Sequence, residues 1–182
     1  AREDEAQPMV AAATSMQHSG VPIVTSWLMD TGSPLGLVHR PDVAGCEALI
    51  EQGKRVRLAT ANGETVSSDV LPLHLGRLGE DILPYVLDST PNVLSRGKRI
   101  IVDGFSFFWP AWSYAPWLEH PTTGERIWLE VRDFVPYLQV PLGDAKTMDP
   151  TSVAAGALLK KLTGPLDPMN AAQSELSLIP LS

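Results

Sequence analysis

Proline and glycine recur along the whole chain, and they restrict the folds that it can form. The 182 residues include 16 prolines and 14 glycines, and both residue types interrupt helices. Between them lie short apolar or alternating segments bounded by turn-forming residues, which are typical of strands. With 44% apolar residues, the chain can bury a core. We therefore predict an all-β fold, a small β-rich barrel or sandwich that forms one domain with tails.

Charge and cysteine content narrow the class of protein. Fourteen Lys and Arg residues against 21 Asp and Glu residues give a net charge of −7, which disfavours nucleic-acid binding through a broad basic surface. The single cysteine, Cys46, excludes an internal disulfide framework and a cysteine-based zinc site, and it indicates a reducing compartment. No segment approaches the ~18 apolar residues of a membrane span. We expect a cytoplasmic protein with neither membrane nor nucleic-acid partners.

Turn signals and apolar spacing predict the order of elements. Asn62-Gly63 predicts a tight hairpin, because both residues accept positive φ, and Pro136 should place the last strand at a sheet edge. The predicted strands cover 21–29, 56–60, 82–87, 105–109 and 135–140. Short helices are predicted over 42–52, 95–102 and 152–162. The first twenty residues read as a flexible lead-in.

The sequence Asp30-Thr31-Gly32-Ser33 directly follows the first apolar strand. An acid at this position is exposed at the end of a buried element, and Gly32 allows other backbone to approach closely. A carboxylate of this kind can activate water when a second carboxyl group shares the site, one ionised and one protonated. The alternative is an ordinary turn in which Asp30 caps its own backbone.

This pattern resembles the active-site signature of aspartic proteases. The chain holds one such motif, because Asp88-Ser89-Thr90 lacks the glycine. A chain of this length with one motif resembles the retropepsin-like protease of retroviruses and retrotransposons, which completes its site as a homodimer. The segment 86–95, followed by a helix, a glycine and an aromatic strand, is similar to Copia-type retrotransposon polyproteins. Ser95 stands where most retropepsins have glycine. The resemblance covers residues 21–110.

The resemblance implies a fold, a reaction and residue roles. The fold would be a small closed β-barrel with one or two short helices, half of a dimeric aspartic protease. Asp30 of two subunits would hold the water that attacks a peptide bond. Thr31 would bond across the dimer, Gly32 would contact substrate, and Ser33 would bond the outer oxygen of Asp30. The hairpin tip at Ala61, Asn62 and Gly63 would form a flap over the substrate.

The resemblance also implies partners and domain limits. The partners would be a second copy of the chain and its own polyprotein as substrate, in the cytoplasm or within virus-like particles, with no cofactor and no metal. Residues 21–110 would form the protease core, 111–143 a β-rich extension and 144–182 a linker-like tail.

Other interpretations remain open. The chain could be a catalytically inactive protease-fold module that binds or assembles, or an unrelated hydrolase or β-rich interaction domain. Ser33 lacks the Gly-x-Ser-x-Gly elbow of a serine nucleophile, and Cys46 has the apolar spacing of a buried residue. The aromatic run over 105–117 carries no Lys or Arg for base stacking, so core or dimer interface is favoured. The histidines, which lack metal-ligand spacing, are His18, His39, His74 and His120.

Overall fold

The chain folds into three antiparallel or mixed β-sheets with little helix. The structure is a computed structural model that describes residues 22–60 and 63–148. The described strands are β1 Ser26–Asp30, β2 Leu37–His39, β3 Glu51–Thr60, β4 Gly63–Val70, β5 Leu73–Leu75, β6 Glu80–Ile82, β7 Tyr85–Leu87, β8 Val93–Ser95, β9 Ser106–Phe108, β10 Trp117–Glu119, β11 Arg126–Trp128, β12 Glu130–Arg132, β13 Val135–Gln139 and β14 Ala145–Thr147. The helix α1 spans Arg96–Ile101, and 3-10 helices span Arg40–Val43 and Glu47–Leu49. The predicted all-β class is confirmed.

The largest sheet has eight strands in the order β12-β13-β1-β8-β2-β7-β4-β3. Strand β1 lies inside it, antiparallel to β13 and parallel to β8. Alternate β1 residues, Trp27 and Met29, are buried, as the pleat of a strand with one covered face requires. This face joins a core shared with Leu94, Leu118 and Leu138. Asp30 ends β1 and pairs with Ser95 of β8, whereas the pairing of β1 with β13 ends at Leu28.

The expected closed barrel is not formed. Among the described strands, β3 pairs only with β4 and β12 only with β13, so the eight-stranded sheet stays open at both ends. Strand β3 carries Lys54, Arg55 and Arg57, and charged side chains are the usual protection of an exposed sheet edge. The other two sheets have three strands each, in the orders β11-β10-β9 and β14-β5-β6.

The predicted hairpin and the predicted short helix are both present. The pairing of β3 with β4 runs from Thr60 opposite Gly63 to Glu51 opposite Val70. Gly63 has φ of +110°. The tip residues Ala61 and Asn62 lie outside the described residues. Helix α1 begins after Ser95, whose hydroxyl accepts a hydrogen bond from the Lys98 amide at 3.2 Å, the geometry of a serine N-cap.

Two sequence predictions are wrong. The segment 42–52 forms no α-helix but parts of the two 3-10 helices, separated by Gly45 at φ of +87°, because a residue in the left-handed region ends a helical run. The strand with Pro136 is not at an edge, since β13 lies between β12 and β1. Its pairing with β1 stops at Tyr137 opposite Leu28, so Pro136 needs no N–H there. The helix predicted over 152–162 lies outside the described residues.

The described residues after 110, which end at 148, contribute strands to the same three sheets. Strand β13 pairs with β1, and β14 pairs with β5. Strands β10 and β11 extend β9 into an antiparallel sheet. None of the helices in the described ranges is long and apolar enough to cross a membrane.

Candidate active site

Asp30 lies where two parallel strands end side by side. Strands β1 and β8 run in the same direction with Asp30 opposite Ser95, and parallel strands present their carboxyl ends at one edge of a sheet. Ser95 is buried at 2% exposure, whereas Asp30 is half-buried. The backbone beneath Asp30 is therefore rigid while its side chain reaches solvent.

The loop after Asp30 folds back onto the carboxylate. The Gly32 amide donates a hydrogen bond of 2.8 Å to Asp30 Oδ1, and a Cβ atom at Gly32 would sit 3.4 Å from that oxygen. Thr31 is exposed. Ser33 donates its hydroxyl to the Leu35 carbonyl at 2.8 Å, which differs from the bond to Asp30 that the resemblance implies. The loop orients one oxygen of Asp30 and leaves the other to solvent or a partner.

Arg96 brings a positive charge to this site, since it attracts Asp30 electrostatically. It follows Ser95 directly, and its guanidinium lies 4.3 Å from the centroid of the Phe107 ring, a cation–π distance. Burial lowers the pKa of Arg96, and attraction to Asp30 partly opposes that shift. Asp30 and Arg96 therefore attract each other. Sequence reasoning missed Arg96, because only the pairing of β1 with β8 brings it close to Asp30.

A buried ion pair supports the same edge from below. Arg99 is 2% exposed, and it donates through Nη1 to the Ser95 carbonyl at 3.3 Å. Its Nη2 lies 3.2 Å from Glu80 Oε2 and forms an ion pair with it. The geometry is not that of a hydrogen bond, and neither Glu80 oxygen has a hydrogen-bond partner. The pKa of Glu80 is raised by desolvation, and the positive charge of Arg99 only partly opposes that shift. This pair ties β6 and α1 to the residue beside Asp30, and no sequence motif marked it.

The site contains a single carboxyl group. Asp30 accepts a hydrogen bond from Gly32 and attracts Arg96, and within the described part of the chain no hydrogen bond joins it to a second carboxyl group. Those residues also contain no cluster of three or more His, Cys, Asp or Glu that could hold a metal. Activation of water by paired carboxyl groups would therefore need an Asp30 from a second molecule.

The cysteine and the described histidines are buried or interact with neighbouring protein groups. Cys46 is fully buried, as predicted, and burial raises the pKa of its thiol. His74 contacts Asp81 at 2.7 Å, and His39 lies 3.6 Å from Asp42. His120 Nδ1 accepts two backbone amides of the following turn. His18 lies outside the described residues.

The aromatic run divides between core and surface. Phe105 is buried, but an outer face of the β9–β11 sheet carries Phe108, Trp117 and Trp128 in a cross-strand ladder with ring centroids 5.1 and 5.2 Å apart. Phe108 and Trp128 remain 41% and 49% exposed. In the loop between β9 and β10, Trp112 is fully exposed at φ of +62°. We call Phe108, Trp112, Trp117 and Trp128 the aromatic face.

Comparison with known proteins assigns no family, since no protein-family model, no curated protein and no solved structure matches the chain.

Proposed function

We propose that this chain is one subunit of a homodimeric aspartic endopeptidase that resembles the retropepsins in its active-site motif. The observation that carries the proposal is the single Asp30 carboxylate, half-exposed at the joined ends of β1 and β8 with Gly32 oriented onto one oxygen. A rigid backbone beneath an accessible acid is the arrangement that a catalytic carboxylate requires.

Two copies of Asp30 would share one proton and hold one water. Like charges at short range prevent both carboxyl groups from ionising together. The ionised carboxylate would accept a proton from water as it attacks the peptide carbonyl, and the protonated one would donate to the carbonyl oxygen. The pair would titrate as one unit.

The substrate would be an extended segment of the polyprotein that contains this chain. An extended peptide binds well alongside strands, because its backbone can pair with an open strand edge. The β3–β4 hairpin would cover it as a flap. Processing of this kind would take place in the cytoplasm or within virus-like particles.

The test is cleavage of a fusion in which the chain keeps its natural flanking sequence, at mildly acidic and at neutral pH. We expect cutting that rises with protein concentration and is lost in Asp30→Asn. The Asn side chain retains an oxygen for the Gly32 amide, so the fold should persist. Asp133→Asn, which changes an exposed acid in the β12–β13 turn, is the matched control and should cut normally. Equal cutting by the parent and Asp30→Asn would refute the proposal.

A second candidate is a catalytically inactive module that binds or assembles. The aromatic face favours it, because large exposed aromatic side chains commonly mark partner surfaces. This function predicts a folded dimer by sedimentation that cuts no flank at any pH and whose association is weakened by Trp128→Ala. A monomer at high concentration would argue against both candidates.

A further inference from the structure

A cavity opens between β4 and β7, and Asp30 does not line it. The two strands pair only at Val70 opposite Tyr85. Ser67 of β4 also donates its hydroxyl to the Val86 carbonyl of β7 at 3.2 Å, and the cavity beside these strands has a volume of about 400 Å³. Buried Val86 and Leu87 contribute to its lining. A space of this size accommodates a long side chain and part of its backbone.

One arginine in the cavity is fully engaged by acids. Arg40 follows β2, which runs parallel to β7 with His39 opposite Leu87, so the chain places Arg40 beside Asp88. Arg40 Nε donates to Asp88 Oδ1 at 2.6 Å, and Arg40 Nη2 donates to Asp69 Oδ2 at 2.7 Å. These hydrogen bonds raise the pKa of Arg40 and lower that of Asp69. Arg40 is therefore held as part of the wall and is not available as the main partner of an anionic ligand.

The carboxylates of the cavity outnumber its cation and keep unused acceptor oxygens. The charged lining consists of Arg40 against Glu64, Asp69 and Asp88, which gives 1 − 3 = −2. Asp88 is 85% exposed, and only its Oδ1 is bonded by Arg40. Glu64 uses Oε2 for Arg57 at 3.3 Å and is 67% exposed. The groups that face a ligand are thus acceptors, which need donors that carry positive charge.

We propose that this cavity is a specificity pocket for a lysine or arginine side chain of a bound peptide. The aliphatic stem would lie over Val66, whose side chain is 45% exposed, and the cationic head would reach Asp88 and Glu64. Long cationic side chains bury their stems and keep their heads near water in this manner. The inference rests on the proposed function only in taking a peptide as the ligand, and it adds a charge preference at a pocket separate from Asp30.

The test measures binding to Asp30→Asn, so that cleavage plays no part. The probes are fluorescein-labelled nonapeptides of Ala and Ser with one Lys, moved through each position, and matched peptides with Gln in place of Lys. Fluorescence anisotropy should show about five-fold tighter binding for Lys at one position, the range of a partly exposed ion pair. The preference should shrink as salt is raised from about 0.05 M to 0.5 M, because salt screens exposed charges.

A second substitution tests whether the Lys preference arises in this cavity. Asp30→Asn/Asp88→Asn should lose most of the Lys preference, while Asp30→Asn/Glu125→Gln, which removes an exposed charge outside the cavity, should retain it. Arg40 keeps Asp69 in the first variant, and an unchanged unfolding midpoint will confirm its fold. Equal affinity for Lys and Gln at every position, an equal preference in both variants, or no binding up to about 1 mM peptide would each overturn the inference. A Lys preference in a protein that never cuts its flanks would defeat the proposed function and leave the pocket intact.

Discussion

The Asp30 edge and the aromatic face differ in how the chain builds them. The Asp30 edge joins residues from three places in the sequence: β1, β6 and the continuous segment of β8 and α1, which holds Arg96 and Arg99. The aromatic face comes from three consecutive strands and one loop. The first has a rigid buried support and presents a polar group, whereas the second presents large apolar side chains from a local sheet. Both surfaces lack something that a partner can supply, a second carboxyl group in one case and an apolar cover in the other.

Because the two surfaces are built from different residues, mutations can test the catalytic role of one separately from the association through the other. If the Asp30 edge performs hydrolysis, its variants will remove activity in a folded protein. If the aromatic face only packs against a partner, its variants will change association and leave the fold unaltered.

The largest effect is expected at Asp30. Asp30→Asn should reduce flank cleavage at least about a thousand-fold, because an amide cannot serve as the general base. Trp128→Ala should retain cleavage within a few-fold when the protein concentration is high enough to restore dimers. Product formation measured over a range of concentrations tests both. Loss of activity in Trp128→Ala at every concentration would erase the distinction between the two surfaces.

The ion pair below Asp30 should have the next largest effect. Arg99→Met leaves the buried Glu80 carboxylate without its cation, and we expect the free energy of unfolding to fall by about 3–5 kcal/mol. Urea denaturation measures it. Arg99→Met/Glu80→Leu removes both charges and should recover most of that loss. A double variant as unstable as the single one would show that the charges are not the reason.

The two faces of the β9–β11 sheet should respond unequally. Leu118 is fully buried, while Trp128 on the outer face is 49% exposed. Leu118→Ala should cost about 3 kcal/mol through a cavity, and Trp128→Ala about 1 kcal/mol through lost ring contacts. Thermal and urea unfolding of the two variants compare them directly. Equal losses would mean that the outer face is part of the core.

Trp112 should show a smaller, conformational effect. Its side chain is fully exposed and its φ of +62° is in the left-handed region, which glycine tolerates better than residues with a Cβ. Trp112→Gly should therefore be more stable than Trp112→Ala by about 1 kcal/mol. The difference in urea midpoints measures it, and the reverse order would indicate that the loop changes shape in solution.

The smallest effect is a pH dependence that arises from Glu80. Its pKa is raised above the ordinary value of 4.5 by burial, so above that pH the folded state retains a proton that the unfolded state has lost. Stability should therefore decrease as the pH rises from 4.5 through the raised pKa. The lowered pKa of Asp69 acts in the opposite sense but only as the pH falls below its ordinary value of 3.8. Urea unfolding between pH 5 and 7 should show a weaker decline for Glu80→Gln than for the parent.

Elements with short-range signals could be predicted from sequence. Asn62-Gly63 predicted the β3–β4 hairpin, and the segment 95–102 was predicted as the short helix that the structure shows as α1, because turn and cap preferences act within a few residues. The 3-10 helices over 40–49 and the interior position of β13 could not be predicted in this way. Apolar residues spaced three or four apart predicted a helix, but that spacing does not show that Gly45 adopts a left-handed conformation. Pro136 predicted an edge strand, but a proline does not show which residues of its strand pair with a neighbour.

The local sequence thus accounts for an exposed acid on a turn after a buried strand, since the apolar run and the Asp30–Ser33 turn are contiguous. The tertiary structure alone decided that Ser95 and Arg96 stand beside that acid, that Arg99 and Glu80 lie beneath it, and that the sheet stays open. Strands with alternating burial are compatible with several neighbours and registers, and only the close packing of the whole core selects one of them.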